Sequence, residues 1–161
     1  MVSACGVLHV HSCPAALCPH VTWAVARMLG VPIDLSWSAQ PAAPGTLRAE
    51  CEWEGRVGTA DRLAGALKGW QPLRFETVEL ASPGCDGRRF SYTGRLGLFA
   101  TTISANGDVM VGEDQLRAVL DESGDLRGRL AALVGTPWDQ ELESYRQAGY
   151  LAPVTRVADV V

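Results

Sequence analysis

The prolines at positions 14 and 19 decide how the chain can begin. Proline lacks a backbone N–H and clashes with the preceding turn of a helix, so no single helix can run through both positions. The stretch GVLHVHSCPAALCPHVTWAVARMLG, from Gly6 to Gly30, therefore divides into a strand, an elbow and a helix. Leu8 and Val10 alternate with Val7, His9 and His11, which predicts a strand with one apolar and one semi-polar face. Pro19 suits a first helical turn, where its missing N–H would be unpaired anyway. Val21, Ala24, Val25, Met28 and Leu29 then recur at helical spacing as one stripe. Gly30 is the expected stop. His9, His11 and His20, the three histidines of the chain, all lie in this stretch, together with Cys13 and Cys18.

Downstream, Ile33, Leu35 and Trp37 alternate with Asp34, Ser36 and Ser38 and predict a second strand. After the turn QPAAPG, Leu47, Ala49, Cys51 and Trp53 alternate with Arg48, Glu50, Glu52 and Glu54, a third strand with one charged face. Thr59 is placed to cap a helix carrying Leu63, Ala64 and Leu67, and residues 73–80 read as a fourth strand. This βαββαβ order predicts a ferredoxin-like α+β sandwich over residues 1–82. Its first strand belongs between the third and fourth, with both helices on one face.

Residues 83–161 read differently. SPGCDGRR is a turn-rich loop, and residues 90–104 hold one or two strands. Asn106-Gly107 signals a hairpin. Three helices follow, marked by Leu116, Val119 and Leu120, then by Leu126, Leu130, Leu133 and Val134. The third opens at Thr136-Pro137 and carries Trp138, Leu142 and Tyr145. The last stretch, LAPVTRVADVV, is apolar enough to dock but has no period. No flexible linker separates the halves, so a single domain over 1–161 is expected, with the hairpin and helices packed on the first half.

Composition narrows the function classes. A chain of 161 residues buries roughly two-thirds of its unfolded surface and needs neither disulfide nor metal to fold. Its net charge of −4 and pI near 5.3 argue against nucleic-acid binding, which needs surplus Lys and Arg. No apolar run is long enough to span a bilayer. The N-terminus lacks a basic and a long apolar region, so no secretion signal is expected. Five cysteines, an odd number without framework spacing, fit reduced thiols in the cytoplasm. Phosphate-loop and dinucleotide glycine patterns are missing, and no cofactor is expected.

Four stretches, CPHVTWAVARMLGV, QPAAPGTLRAE, SPGCDGRRFSYTGRLGLF and GDVMVGEDQLRAVL, together resemble an actinobacterial family known as a domain of unknown function, family 3145. The similarity covers essentially the whole chain. The resemblance implies an intracellular bacterial protein of about this length with no established activity. Through genes for fatty-acid elongation near its members, it also implies a partner in acyl metabolism.

The residues themselves offer several candidate sites. His9, His11, Cys18 and His20 are the metal-ligating alternative, since imidazole and thiolate suit zinc. The spacing H-x-H-x-C-x4-C-x-H matches no metal motif, and no bound metal is expected. A catalytic alternative makes Cys18 a nucleophile, its pKa lowered at a helix N-terminus, with His20 and His11 assisting. Neither an oriented base nor an oxyanion site is legible. The favoured reading is a partner-binding surface. His20, Trp23 and Arg27 share a helix face distinct from the apolar stripe, and His11 precedes the elbow. Against it stands Trp23 as core beneath the later helices. If the first and third strands are neighbours, His9 and His11 face the Glu50 row, which would raise their pKa values. Arg88 and Arg89 place two guanidinium groups in a turn suited to a small anionic ligand. The expected function is a non-enzymatic binding or adaptor module with a protein or small-ligand partner. The alternative is an enzyme of unknown reaction using the elbow.

Overall fold

Strand β1 (Ser3–Pro14) is the axis of the sheet. It pairs antiparallel with β3 (Thr46–Arg56) on one side and β4 (Arg74–Glu79) on the other, the two neighbours expected from its pattern. A computed structural model describes residues 2–149 and 152–157 of the chain. Within them the sheet runs β2 (Ser38–Ala39), β3, β1, β4, β5 (Gly87–Thr93), β6 (Gly97–Ile103), β7 (Val109–Met110). A further strand, β8 (Val154–Val157), lies parallel on the outer edge of β3. Residues 151 and 158–161 of the terminal apolar stretch lie outside the described residues.

This order differs from the four-stranded ferredoxin-like sheet expected for residues 1–82. Residues 33–37 do not join the ladder. Leu35 turns into the core and the Trp37 indole donates to Thr22 Oγ1 at 3.2 Å, so only Ser38 and Ala39 reach β3. At the other side β4 is not an edge, because β5, β6 and β7 continue the same sheet. The fold is a mixed α/β architecture on one long, mainly antiparallel sheet.

Helices α1 (Cys18–Leu29) and α2 (Thr59–Leu67) cover one face. Leu8 and Val10 of β1 meet Val21 and Val25 of α1, Leu63 and Leu67 of α2, and Trp53, Phe75 and Phe90 of neighbouring strands in one apolar core. Each large side chain withdrawn from water there contributes about 1.5–3 kcal/mol. Gly30 ends α1 in a left-handed conformation, φ 73°, with its N–H on Ala26 O at 2.9 Å. Thr59 does not cap α2. The cap comes from across the sheet, where the Glu79 carboxylate accepts from Gly58 N at 2.8 Å and Ala60 N at 3.0 Å. That arrangement satisfies orphan donors and places negative charge at the positive end of the helix.

The opposite face is closed by α5 (Thr136–Gln147), with Leu142 fully buried. Its Trp138 stacks on Phe99 at 5.0 Å and donates to Gly97 O at 3.0 Å. Before it, α3 (Glu113–Asp121) and α4 (Leu126–Leu133) contain no buried residue. Leu116, Leu120, Leu126 and Leu130 remain exposed. None of the five cysteines is bonded to another. Among the described residues no helix is long and apolar enough to cross a membrane.

Candidate functional site

Alternation sends every second residue of β1, β3, β4 and β5 toward the α5 side of the sheet, and there the polar chemistry collects. Glu76 on β4 is buried at its centre. Its Oε2 accepts from His11 Nε2 and from Arg146 Nε, both at 2.8 Å. Its Oε1 accepts from Ser91 Oγ at 2.8 Å, Arg146 Nη2 at 2.5 Å and Arg89 Nη2 at 3.3 Å. Asp139 Oδ1, seven residues before Arg146 on α5, accepts from Arg89 at 3.0 Å and Arg146 at 2.8 Å. Burial alone would push the Glu76 carboxyl up. The bond from Arg146, followed by that from His11, outweighs it and holds the group well below the usual carboxylate range. The Glu76 bond in turn holds Arg146 above the ordinary guanidinium value.

Beside this network lies a cavity of about 530 Å³. His9, His11, Arg48 and Glu50 form its polar wall, and Val78, Leu80 and Ile103 its apolar one. A bulge in β1 sets His11 and Ser12 opposite Arg48 of β3, and Gln40 Nε2 fixes it by donating to His11 O at 2.7 Å. The His9 and His11 rings stack 5.8 Å apart, nearly parallel. His9 Nδ1 stands 3.5 Å from Glu50 Oε2. The carboxylate was expected to raise the histidine pKa. Burial is the larger influence, and His9 lies below the ordinary histidine value despite Glu50. Arg48 is almost wholly buried, and burial lowers its pKa as well.

The structure separates the residues singled out in the sequence. His11 lines the cavity together with Arg89. Cys18 sits in the apolar core under α1 with Cys13, and burial raises both thiol pKa values. Its position at a helix start does not make it a thiolate, because loss of water outweighs the dipole. His20, Trp23 and Arg27 are exposed on α1, on the far side of the sheet from His11. Trp23 is 63% exposed rather than packed under later helices, with the Arg27 guanidinium 5.5 Å from its ring. His9, His11, Cys18 and His20 therefore do not converge, and no group of three His, Cys, Asp or Glu fit to hold a metal occurs among the described residues. Arg88 and Arg89 are not in a turn but consecutive in β5, so they part. Arg89 joins Glu76, while Arg88 is exposed on the other face, over Phe90 at 5.4 Å.

Glu76, Arg146, Asp139 and Ser91 were not foreseen. Glu76 and Arg146 stand 70 positions apart, and no local pattern pairs them. The one available signal was Glu76 itself, a charge on the strand whose neighbours Phe75 and Thr77 are fully buried.

Residues 7–159 match the family described as "Protein of unknown function (DUF3145)". The chain belongs to that family. The match takes in β1 from Val7 onward, the whole Glu76 network and α5, so the site lies within the DUF3145 region. No curated protein and no solved structure matches the chain.

Proposed function

We propose that this DUF3145 protein is a non-enzymatic binding or adaptor module that docks a protein partner on the exposed face of α1. The observation that supports this reading is Trp23. A tryptophan 63% exposed on a helix whose other face is sealed by Val21, Ala24 and Val25 is not needed for the core. Its neighbours His20 and Arg27 are exposed with it. An aromatic anchor flanked by arginine has the composition of an interface hot spot. The exposed leucines of α3 and α4 add a second apolar surface of the same kind. The enzymatic alternative lacks such support, because His11 lines a cavity that contains neither Cys18 nor His20. The proposal extends to a cytoplasmic location and to a partner in acyl metabolism.

The test uses the full chain as bait in native lysate, with mass spectrometry of what it retains. Truncating a hot-spot tryptophan removes at least about 2 kcal/mol of binding, so Trp23→Ala is expected to weaken the captured partner roughly thirtyfold. Its thermal midpoint should stay where it is, as for other surface changes. Unfolding of Trp23→Ala would make the residue structural and end the reading. Unchanged capture would move the interface away from α1.

A further inference from the structure

We propose that the cavity between β1, β3, β4 and the end of α5 is a binding site for a short monocarboxylate, anchored by the Arg48 guanidinium. The site lies on the opposite face of the sheet from Trp23, so it stands or falls independently of the docking surface on α1.

The argument begins with which cations are already engaged. Arg89 and Arg146 are held by Glu76 and Asp139, and both carboxylates are held in return. Arg48 is different. Its side chain is 4% exposed, and its Nε and Nη1 have no hydrogen-bond partner among the described residues. Its nearest charge, Glu50 Oε2, stands 3.9 Å from Nη2, close enough to offset the charge but too far to accept a hydrogen bond. Buried donors left unpaired are costly, and a charged group more so. Across the bulge, His11 Nδ1 is also buried and unpartnered. A guanidinium and an imidazole nitrogen with spare capacity thus border one cavity.

The shape of the cavity selects the ligand. A planar guanidinium fork matches a carboxylate in two parallel bonds. Glu50 and Glu76 border the same space and would repel a dianion, which disfavours phosphate. Val78, Leu80 and Ile103 offer an alkyl tail an apolar wall, and Leu80 is half exposed without one. A volume of about 530 Å³ falls in the range of small-molecule sites. Tightness at Arg48 comes from the backbone. A Cβ at Gly149 would stand 2.4 Å from Arg48 Nη2, so a larger residue there would displace the guanidinium from its present position.

The experiment titrates the full chain with sodium acetate, butanoate and hexanoate, and with inorganic phosphate, by calorimetry at constant ionic strength. Butanoate or hexanoate is expected to bind saturably at one site, more tightly than acetate, and phosphate not to compete. Arg48→Gln should weaken binding about tenfold or more, the loss expected for a charge-assisted bond. Glu50→Gln, which removes the competing carboxylate from a partly exposed position, should strengthen it. That second variant decides the matter if Arg48→Gln fails to fold. Absence of saturable binding by every acid overturns the proposal. So does binding indifferent to both substitutions, or phosphate binding as tightly as butanoate.

Discussion

Phe75 and Glu76 are neighbours in β4, both buried, and they are held by opposite physics. Phe75 points into the layer of α1 and α2, fully buried, stacked on Tyr92 at 5.2 Å. Glu76 points the other way, 5% exposed, and takes five hydrogen bonds from four side chains. Apolar burial is non-directional, so the Phe75 side needs only enough surface of about the right shape. An ion in the interior needs every partner in place, because desolvation is offset only by complete hydrogen bonding. One face of this sheet is therefore sealed by quantity and the other by a single set of contacts.

The largest expected effects fall on that pair. Phe75→Ala should cost about 3–5 kcal/mol through lost burial and the cavity left behind. Glu76→Ala should cost about 3–5 kcal/mol too, since it takes the buried acceptor from Arg146, Arg89 and His11 and leaves the two arginines only the half-exposed Asp139. Acid titration of unfolding separates them. The folded-state pKa of Glu76 is depressed from 4.5, so its contribution is complete above that value and is lost as pH falls below it. Wild type and Phe75→Ala should both lose stability below about pH 4.5, whereas Glu76→Ala should lose less. Equal acid sensitivity in all three would refute the ionic account. The comparison sharpens in Glu76→Leu/Arg146→Leu, because replacing a buried ion pair by apolar groups is often neutral. That double variant should be more stable than Glu76→Ala.

A smaller effect divides Arg88 from Arg89. Arg89→Ala removes one of the two guanidinium partners of Glu76 and should cost about 1–2 kcal/mol, because Arg146 remains. Arg88→Ala, on an exposed side chain over Phe90, should stay within about 0.5 kcal/mol. Urea unfolding of the two variants checks this. Equal costs would mean that alternation along β5 does not govern their roles.

The difference between the faces also explains what the sequence disclosed. Leu8, Val10, Val21, Val25, Leu63 and Leu67 repeat at the period of their own elements, so the apolar layer, β1 between β3 and β4, and the Asn106-Gly107 turn were legible. Thr59 was misread as a cap because the Glu79 carboxylate arrives from another strand. Residues 33–37 alternate like a strand, yet Leu35 finds the core from a segment that joins no strand ladder among the described residues. The polar face was almost closed to sequence reading. His9 opposite Glu50 followed from strand order, but Glu76 with Arg146 is a contact between distant charges whose period in α5 is that of any amphipathic helix. Helical spacing takes Trp23 off the apolar stripe but does not say whether the later helices cover it, and the structure leaves it exposed.

The smallest expected effect concerns His9, at the border between the network and the cavity. Glu50 at 3.5 Å favours its charged form, as does Glu76, while His11 and Arg48 oppose it. Burial is the largest influence, acts with His11 and Arg48 against the two carboxylates, and sets the folded-state pKa below the ordinary 6.5. The unfolded chain therefore binds a proton more readily than the folded one as pH drops through that value. The stability this neutral histidine permits is present above about pH 6.5 and declines below it. Wild type should lose a little stability between pH 7.5 and 5.5, well before Glu76 begins to titrate, and His9→Gln should be flatter over that interval. Urea midpoints at three pH values within it suffice. If acidification stabilises the wild type instead, attraction to Glu50 exceeds the cost of burial, and this edge of the polar face behaves as open surface rather than as interior.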